Sequence, residues 1–400
     1  MPSPELSSPR QLTRRLAEAV DLEPLILGGR RLPPKAVVAV AMSGGVDSSV
    51  AAALSAASGL ETVGVTMRLW GTEEMERGEG GCCSIDAVED ARRVCSRLGI
   101  AHYVLNMAEH FRGSVVEDFL RQYSRGRTPN PCVRCNEQVK FSELLRRVGA
   151  IGASHIASGH YARIVEAPGG SCSLHRGLDL AKDQSYTLYR SGQEVLSRLL
   201  LPLGGLRKLQ VRQLAELLGL GVAHKPDSQE LCFVGGGDHR AVLEQELKGR
   251  FRPGPIRDLS GAELGQHRGL PFYTVGQRQG LGLKVRQPSA PPRYVVRLDP
   301  ERNTVVVGPW RALLRSRCEV GELVFLDGLP EEQARLGLAQ LRAHAQPARA
   351  SWEPLGAELA GVRFESPQTG IAPGQSLVLY DGDRVLAGGE IAPLQAAEVA

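Results

Sequence analysis

From Ala36 the chain takes on a rhythm that the residues before it lack. "AVVAVAM" (36–42) is a short continuous apolar run of the kind found in strands buried on both faces. A glycine turn follows, and then "SSVAAALSAASG" (48–59), alanine-rich and closed by Gly59, predicts a helix. The alternation repeats: "TVGVTMRLW" as strand, Ile85–Leu98 as a helix stopped by Gly99, "AHYVLNM" as strand, helices over 109–123 and 137–148, and "HIASGHY" as strand. Strands alternating with helices predict an α/β domain, a doubly wound parallel sheet over 36–219.

The texture changes near residue 220. Residues 220–290 hold many glycines and prolines with short β-like pieces such as "PFYTVGQ", which predicts a small mixed central domain. From about 291 to 400, "RYVVRLDPERNTVVVG" and "GQSLVLYDGDRVLAGGEI" each read as two strands around a turn, and a C-terminal β-barrel is expected there. Residues 1–35 are polar and punctuated by proline, with a short helix over Arg10–Val20, and read as an extension outside the core.

Composition narrows the class. A hydrophobic share of 42% and a charged share of 23% are those of a globular protein, and no apolar run approaches the roughly 20 residues of a membrane span. No secretory signal is visible, so a cytoplasmic protein without membrane partners is expected. The eight cysteines follow no disulfide-framework spacing, which fits a reducing compartment. The net charge of +4 is too small to argue for nucleic acid, but it is unevenly spread. Seven Lys/Arg lie between Arg121 and Arg147, against Glu137 and Glu143. Within that run stands "NPCVRCN" (130–136), whose cysteines are compatible with half a metal site, a redox pair, or a nucleophile beside a spare thiol.

"AMSGGVDSS" joins the first apolar strand to the alanine-rich helix, where backbone N–H groups and a helix N-terminus converge on an anion. It lacks the Gly-Lys-Ser/Thr of a kinase-type loop and the G-x-G-x-x-G of a dinucleotide fold, so neither γ-phosphate transfer nor hydride transfer is indicated. The string resembles the pyrophosphate loop of the ATP pyrophosphatases, which adenylate an oxygen and release pyrophosphate. With "GRTPNPCVRCNEQVKF", "ASGHYAR", "KDQSYTLY", "KPDSQELCFVG", "YTVGQRQGLGL" and "PGQ" in order, the chain is similar to the bacterial tRNA-specific 2-thiouridylases from about residue 36 to 395.

That resemblance implies an enzyme, a tRNA-uridine 2-sulfurtransferase that adenylates O2 of the wobble uridine and replaces it by sulfur. ATP would sit on Ala41, Met42, Ser43, Gly44, Gly45, Val46, Asp47 and Ser48, with Asp47 on the Mg²⁺ side and Met67 and Gly159 beside the adenine. Cys135 would be the nucleophile and Cys232 the persulfide carrier, the two closing a disulfide. Arg134 and the positive stretch around it favour thiolate over thiol. Asn130, Pro131 and Cys132 would touch the flipped base, and His160, Lys182, Asp183, Gln184, Arg342 and Gln375 the tRNA. A sulfur-donor protein, either a cysteine desulfurase or a sulfur-relay protein, is the other implied partner.

Cys132 departs from the commoner family pattern, which has Asp at that place. With Cys135 and Cys232 it makes three thiols able to hold a [4Fe–4S] cluster that would bind sulfide in place of a persulfide. Zinc would need a fourth ligand. Two further alternatives stay open: another adenylating synthetase of the same superfamily, and a non-catalytic protein that keeps the loop as a relic.

Overall fold

A computed structural model of the chain describes residues 8–22, 30, 32–33, 35–70, 84–226, 239–283, 291–326, 335–356 and 358–393. Its contacts divide it into two units: Met1–Ser114 with Cys132–Gly236 and Asp383–Val385, and Val115–Pro131 with Gly237–Gly382 and Leu386–Ala400.

In the first unit, α1 (Pro9–Ala19) precedes β1 (Val37–Ala41), α2 (Val46–Ala57), β2 (Glu61–Arg68), α3 (Ile85–Leu98) and β3 (Ala101–Asn106). After α4 (Ala108–Phe111) and, in the second unit, α5 (Glu117–Ser124), the chain returns with α6 (Pro131–Arg134), α7 (Leu144–Val148), β4 (His155–Ala157), the hairpin β5 (Ala162–Glu166) and β6 (Cys172–Arg176), α8 (Gln193–Arg198), β7 (Leu199–Leu200) and α9 (Lys208–Leu217). The parallel sheet runs β3-β2-β1-β4-β7. The order reverses direction between β1 and β4, and in open α/β sheets a crevice forms at that place beyond the carboxyl ends of the strands. The loop 42–45 leaves β1 there.

The core explains why these residues form these elements. Val38 and Val40 of β1 and Val50, Ala51, Ala52 and Leu54 of α2 are completely buried, so small side chains let the helix lie close on the sheet. Two expectations are corrected. Helix α1, expected in an extension outside the core, contributes to it: Leu16 is 1% exposed and belongs to the same cluster. Arg30 is buried as well, donating to the carbonyls of Leu196 (3.0 Å) and Leu199 (2.6 Å). The helices expected over 109–123 and 137–148 are interrupted by π-helical segments at Arg112–Val116 and Cys135–Glu143, and the second begins at Pro131. Proline suits a first helical position because it brings no N–H to leave unpaired.

The second unit holds α10 (His239–Glu246) and a four-stranded sheet of β8 (Gly254–Asp258), β9 (Glu263–His267), β10 (Tyr294–Asp299) and β11 (Thr304–Gly308), ordered β10-β11-β8-β9. The hairpin of 293–308, expected to open the barrel, therefore pairs with the central strands, through the parallel contact of β11 with β8. A hairpin's sequence fixes its turn but not the sheet that its free edge joins. The barrel follows: β12 (Arg315–Phe325), β13 (Arg335–Gln340), β14 (Ala348–Pro354), β15 (Leu359–Gln368), β16 (Ser376–Asp381) and β17 (Arg384–Ile391), in the order β12-β15-β14-β13-β16-β17 and closed by β12 against β17. Among the described residues no helix is long and apolar enough to cross a membrane.

At Gly64 of β2, Cys95 of α3 packs directly on the strand. A Cβ there would collide with the Cys95 sulfur and lie 3.3 Å from Met42 Cγ. Gly64→Ala is expected to lower the unfolding free energy by about 1–3 kcal/mol. In a Cys95→Ala background the same change should cost less, read as a non-additive shift in urea midpoints; additive costs would place the strain elsewhere.

Candidate functional site

The loop after β1 is built from hydroxyls and glycines. Met42 N–H donates to Val65 O (2.8 Å), fixing the exit of β1 against β2. Ser43 N–H donates to Ser48 Oγ (3.1 Å), and Ser48 Oγ donates to Gly45 O (3.2 Å), so one buried hydroxyl braces the turn from inside. Gly44 has φ +70°, and a side chain there would strike the backbone of Ala87. Gly45 caps α2 without a side chain, leaving the helix's first N–H groups facing outward as an anion site. Gly159, on the strand-end segment after β4, lies against this loop: a Cβ there would be 2.8 Å from the Asp47 carbonyl carbon and the Ser48 nitrogen. Ala41 to Ser48 and Gly159 are thus brought together, and Met67 lies at the carboxyl end of β2.

Asp47, in the first turn of α2, is gripped from two distant stretches. Tyr161 Oη donates to its Oδ1 (2.8 Å), and Lys208 Nζ donates to Oδ1 (2.7 Å) and Oδ2 (2.8 Å). Lys208 is 12% exposed, and its ammonium also lies 5.8 Å from the Tyr161 ring centroid. Neither residue was singled out from sequence. A signal existed for Lys208, because it is the first residue of α9 and a cation at a helix N-terminus is electrostatically misplaced unless an anion requires it there.

The cysteine segment runs through α6 into the nine-residue π-helix of Cys135–Glu143. Cys132 is exposed and Cys135 buried. π-Helical turns are rare and leave carbonyls off the regular ladder. Here Ser142 Oγ donates to Glu137 O (2.6 Å) and the His110 ring to Gln138 O (3.1 Å). Asn136 donates to Thr187 O (3.1 Å), tying the segment to the turn after "KDQ". Arg134 (3.3 Å) and Arg190 (3.0 Å) both pair with Glu137, so one carboxylate offsets much of the positive charge expected beside Cys135.

The basic run is less available to a polyanion than its composition suggests. Arg121 pairs with Asp118, while Arg146 and Arg147 both pair with Glu143 at 2.7 and 2.6 Å. The Arg146 hydrogen bond holds the Glu143 carboxyl down to about 2. Arg125 is exposed, and Arg127 reaches Gln122 (3.3 Å).

Other expected RNA contacts divide clearly. Asp183 is 6% exposed, and its carboxylate accepts from Gly177 N, Ser185 N and Ser185 Oγ and pairs with Arg176, so it holds a turn together. Gln184 Oε1 accepts from Tyr161 N (3.0 Å), and Lys182 is half-buried. His160 bonds Ser158 Oγ (2.9 Å) and meets Phe141 edge-on at 5.7 Å. Burial, with Lys140 nearby, pushes its imidazolium pKa down to about 3. Gln375 donates to Thr128 O (2.8 Å) and Pro129 O (3.2 Å), and Thr128 N–H donates to Pro373 O (2.7 Å). Its amide therefore splints the loop that ends in Asn130 and Pro131. Arg342 is exposed in the turn after β13.

Cys82, Cys83 and Cys232 lie outside the described residues. Among the described residues no group of three or more His, Cys, Asp or Glu could hold a metal ion.

Comparison with known proteins gives a consistent result. The family model of the tRNA methyl transferase HUP domain matches residues 36–236, that of the tRNA methyl transferase PRC-barrel domain 240–309, and that of the aminomethyltransferase β-barrel domain 315–391. The tRNA-specific 2-thiouridylase MnmA of Roseiflexus castenholzii is 47% identical over 372 residues, covering 89% of this chain and 99% of its own. The proteins of the same name from Chloroflexus aurantiacus and Chloroflexus aggregans are 49% and 50% identical over 357 residues, covering 89% of this chain and 98% of theirs. Among solved structures, the U34-tRNA thiolase NcsA from Methanococcus maripaludis with its [4Fe–4S] cluster is 18% identical with a TM-score of 0.35 over 60% of this chain and 75% of that one, too slight a likeness to bear on chemistry.

Two measurements test this geometry. Lys208→Gln should reduce ATP–pyrophosphate exchange about tenfold or more, the scale of one lost charge-assisted contact, and lower the melting temperature, because the Asp47 carboxylate loses its counter-charge. Full exchange in the variant would remove Lys208 from the site. For His160 the folded pKa of about 3 lies below the ordinary 6.5, so the folded state resists protonation. Its contribution to stability should be complete above pH 6.5 and decline as the pH falls toward 3. His160→Gln should flatten that part of the stability–pH curve; an identical curve in the variant would assign the acid sensitivity to other groups.

Proposed function

The chain belongs to the tRNA-specific 2-thiouridylase family, and on that premise we propose that it uses ATP to replace O2 of the wobble uridine, position 34 of tRNA, by sulfur. The observation that carries this reading is the clamped carboxylate Asp47 at the mouth of a phosphate-accepting loop. The methyl transfer named by two matched family models gives way to thiolation because relatives alike over 89% of the chain carry that name.

The loop 42–48 cradles the triphosphate on the N–H groups at the start of α2. Uridine O2 attacks the α-phosphate, pyrophosphate leaves, and C2 now carries adenylate as its leaving group. Lys208 turns from Asp47 to the departing polyphosphate, keeping a positive charge where negative charge gathers. Asp47, with the Ser43 and Ser48 hydroxyls alongside, fits Mg²⁺: the ammonium on its two oxygens occupies the position of a cation. Bound there, Mg²⁺ would neutralise charge on the phosphates.

Sulfur follows from the thiols. The terminal sulfur of a Cys232 persulfide forms a bond to C2, the C2–O bond breaks, and AMP leaves with the original oxygen. The Cys135 thiolate then attacks the inner sulfur of Cys232, breaking its S–S bond; sulfur stays on the base and a Cys135–Cys232 disulfide remains for a thiol reductant to open. Asn130, Pro131 and Cys132 receive the flipped base. Lys182, Gln184 and Arg342 touch the tRNA, whereas Gln375 acts by holding the loop before Asn130. A cysteine desulfurase or relay protein in the cytoplasm reloads Cys232.

The test is nucleoside mass spectrometry on tRNA treated with the protein, ATP and a desulfurase. One AMP and one pyrophosphate should accompany each 2-thiouridine; pyrophosphate released without a thiolated base would refute the assignment. Cys135→Ser should abolish the product, whereas Cys132→Asp should keep most of it in air. If Cys132→Asp is instead inactive even when prepared anaerobically, and has lost a broad absorbance in the visible blue, a [4Fe–4S] cluster on Cys132, Cys135 and Cys232 replaces the persulfide.

A further inference from the structure

We propose that the central β-sheet of the second unit carries a phosphate-binding site of its own, distinct from the glycine loop, that takes a nucleotide-sized segment of the RNA backbone. This rests on tRNA being the substrate. A cavity of about 610 Å³ opens beside β8, β10 and β11, with Arg257, Arg297, Arg302 and Arg311 among its lining residues. Asp258 and Asp299 also line it, the first held by neutral donors that leave its charge in place and the second ion-paired. Asp258 Oδ1 accepts from Ser260 Oγ (2.6 Å), Ser260 N and Ala262 N, the last two at 3.0 Å. Asp299 is shared by Arg297 (3.3 Å) and Arg302 (4.0 Å). Arg257 is 4.0 Å from Glu263 and half exposed. Arg311 is exposed, with no carboxylate partner among the described residues.

The cavity's shape and chemistry select the ligand class. Four guanidiniums against two carboxylates leave an excess of positive charge in the lining, with Arg311 its unpaired member among the described residues, and guanidinium forks match phosphate oxygens. Leu259, Val296, Val306 and Ala312 give it an apolar side, which a bare phosphate would not use but a sugar or base would. The volume is also far above that of a single phosphate and is in the range of organic-ligand sites. Next to Arg311, Trp310 is 50% exposed, a flat surface on which a base can stack.

Arg311 is the residue to change because no ion pair within the described fold depends on it. Arg311→Gln should weaken full-length tRNA binding about three- to tenfold at 0.15 M salt and reduce the log–log salt slope by about one unit, with the KM for ATP unchanged. Arg311→Lys should restore the slope, and Trp310→Ala should weaken binding without changing it. Wild-type thiolation is measured in the same series. If the wild type thiolates tRNA while Arg311→Gln binds it with unchanged affinity and slope, the cavity assignment alone is overturned. If Arg311→Gln loses binding of inorganic phosphate, measured by titration calorimetry, yet holds tRNA as before, the cavity is a small-anion site and the proposal also fails. If the wild type neither binds nor thiolates tRNA, both this proposal and the functional reading fall.

Discussion

Asp47 is the point on which the first unit's site depends. Its carboxylate joins three stretches far apart in sequence: the loop after β1, Tyr161 after β4, and Lys208 at the start of α9. An anion in the first turn of a helix is favourable by itself, and a half-buried one needs a counter-charge. Lys208 supplies it, and Gly159 packs against the same backbone with no room for a Cβ. With Met42 N–H on Val65 O of β2 and Gly44 against Ala87, the loop is held from both sides of the switch point between β1 and β4, which is why its geometry is set before any phosphate arrives.

The cysteine segment is held by a different device. Asn130 and Pro131 close a loop whose carbonyls at Thr128 and Pro129 are bound by Gln375, and a Cβ at Gly374 would press on Arg127 at 2.9 Å. Beyond it, Asn136 and Glu137 anchor the π-helical stretch to Thr187 and Arg190. Cys132 is left exposed and Cys135 buried about one turn further on. The arginines nearby serve mostly as internal ion-pair partners. Glu143 alone engages two of them, so counting basic residues along a helix overstates the field that it presents.

The sequence alone determined the alternation of buried strands and helices, the anion-accepting loop and its glycines, and the family, because these rest on local rules: apolar runs of strand length, φ values open only to glycine, and motifs in fixed order. What only the tertiary structure decided is every pairing across long separations. Lys208 on Asp47 spans 161 residues, and Gln375 on Thr128 spans 247. Leu16 and Arg30 looked like parts of a polar extension until their burial partners in the core and at α8 appeared. The resemblance placed Asp183 against the tRNA; its four hydrogen bonds, from Arg176, Gly177 and Ser185, are to near neighbours in sequence and close a local turn around the buried carboxylate. The hairpin at 294–308 shows the same limit, since hydrogen-bonding edges are alike in any strand and the sheet they complete is chosen by packing.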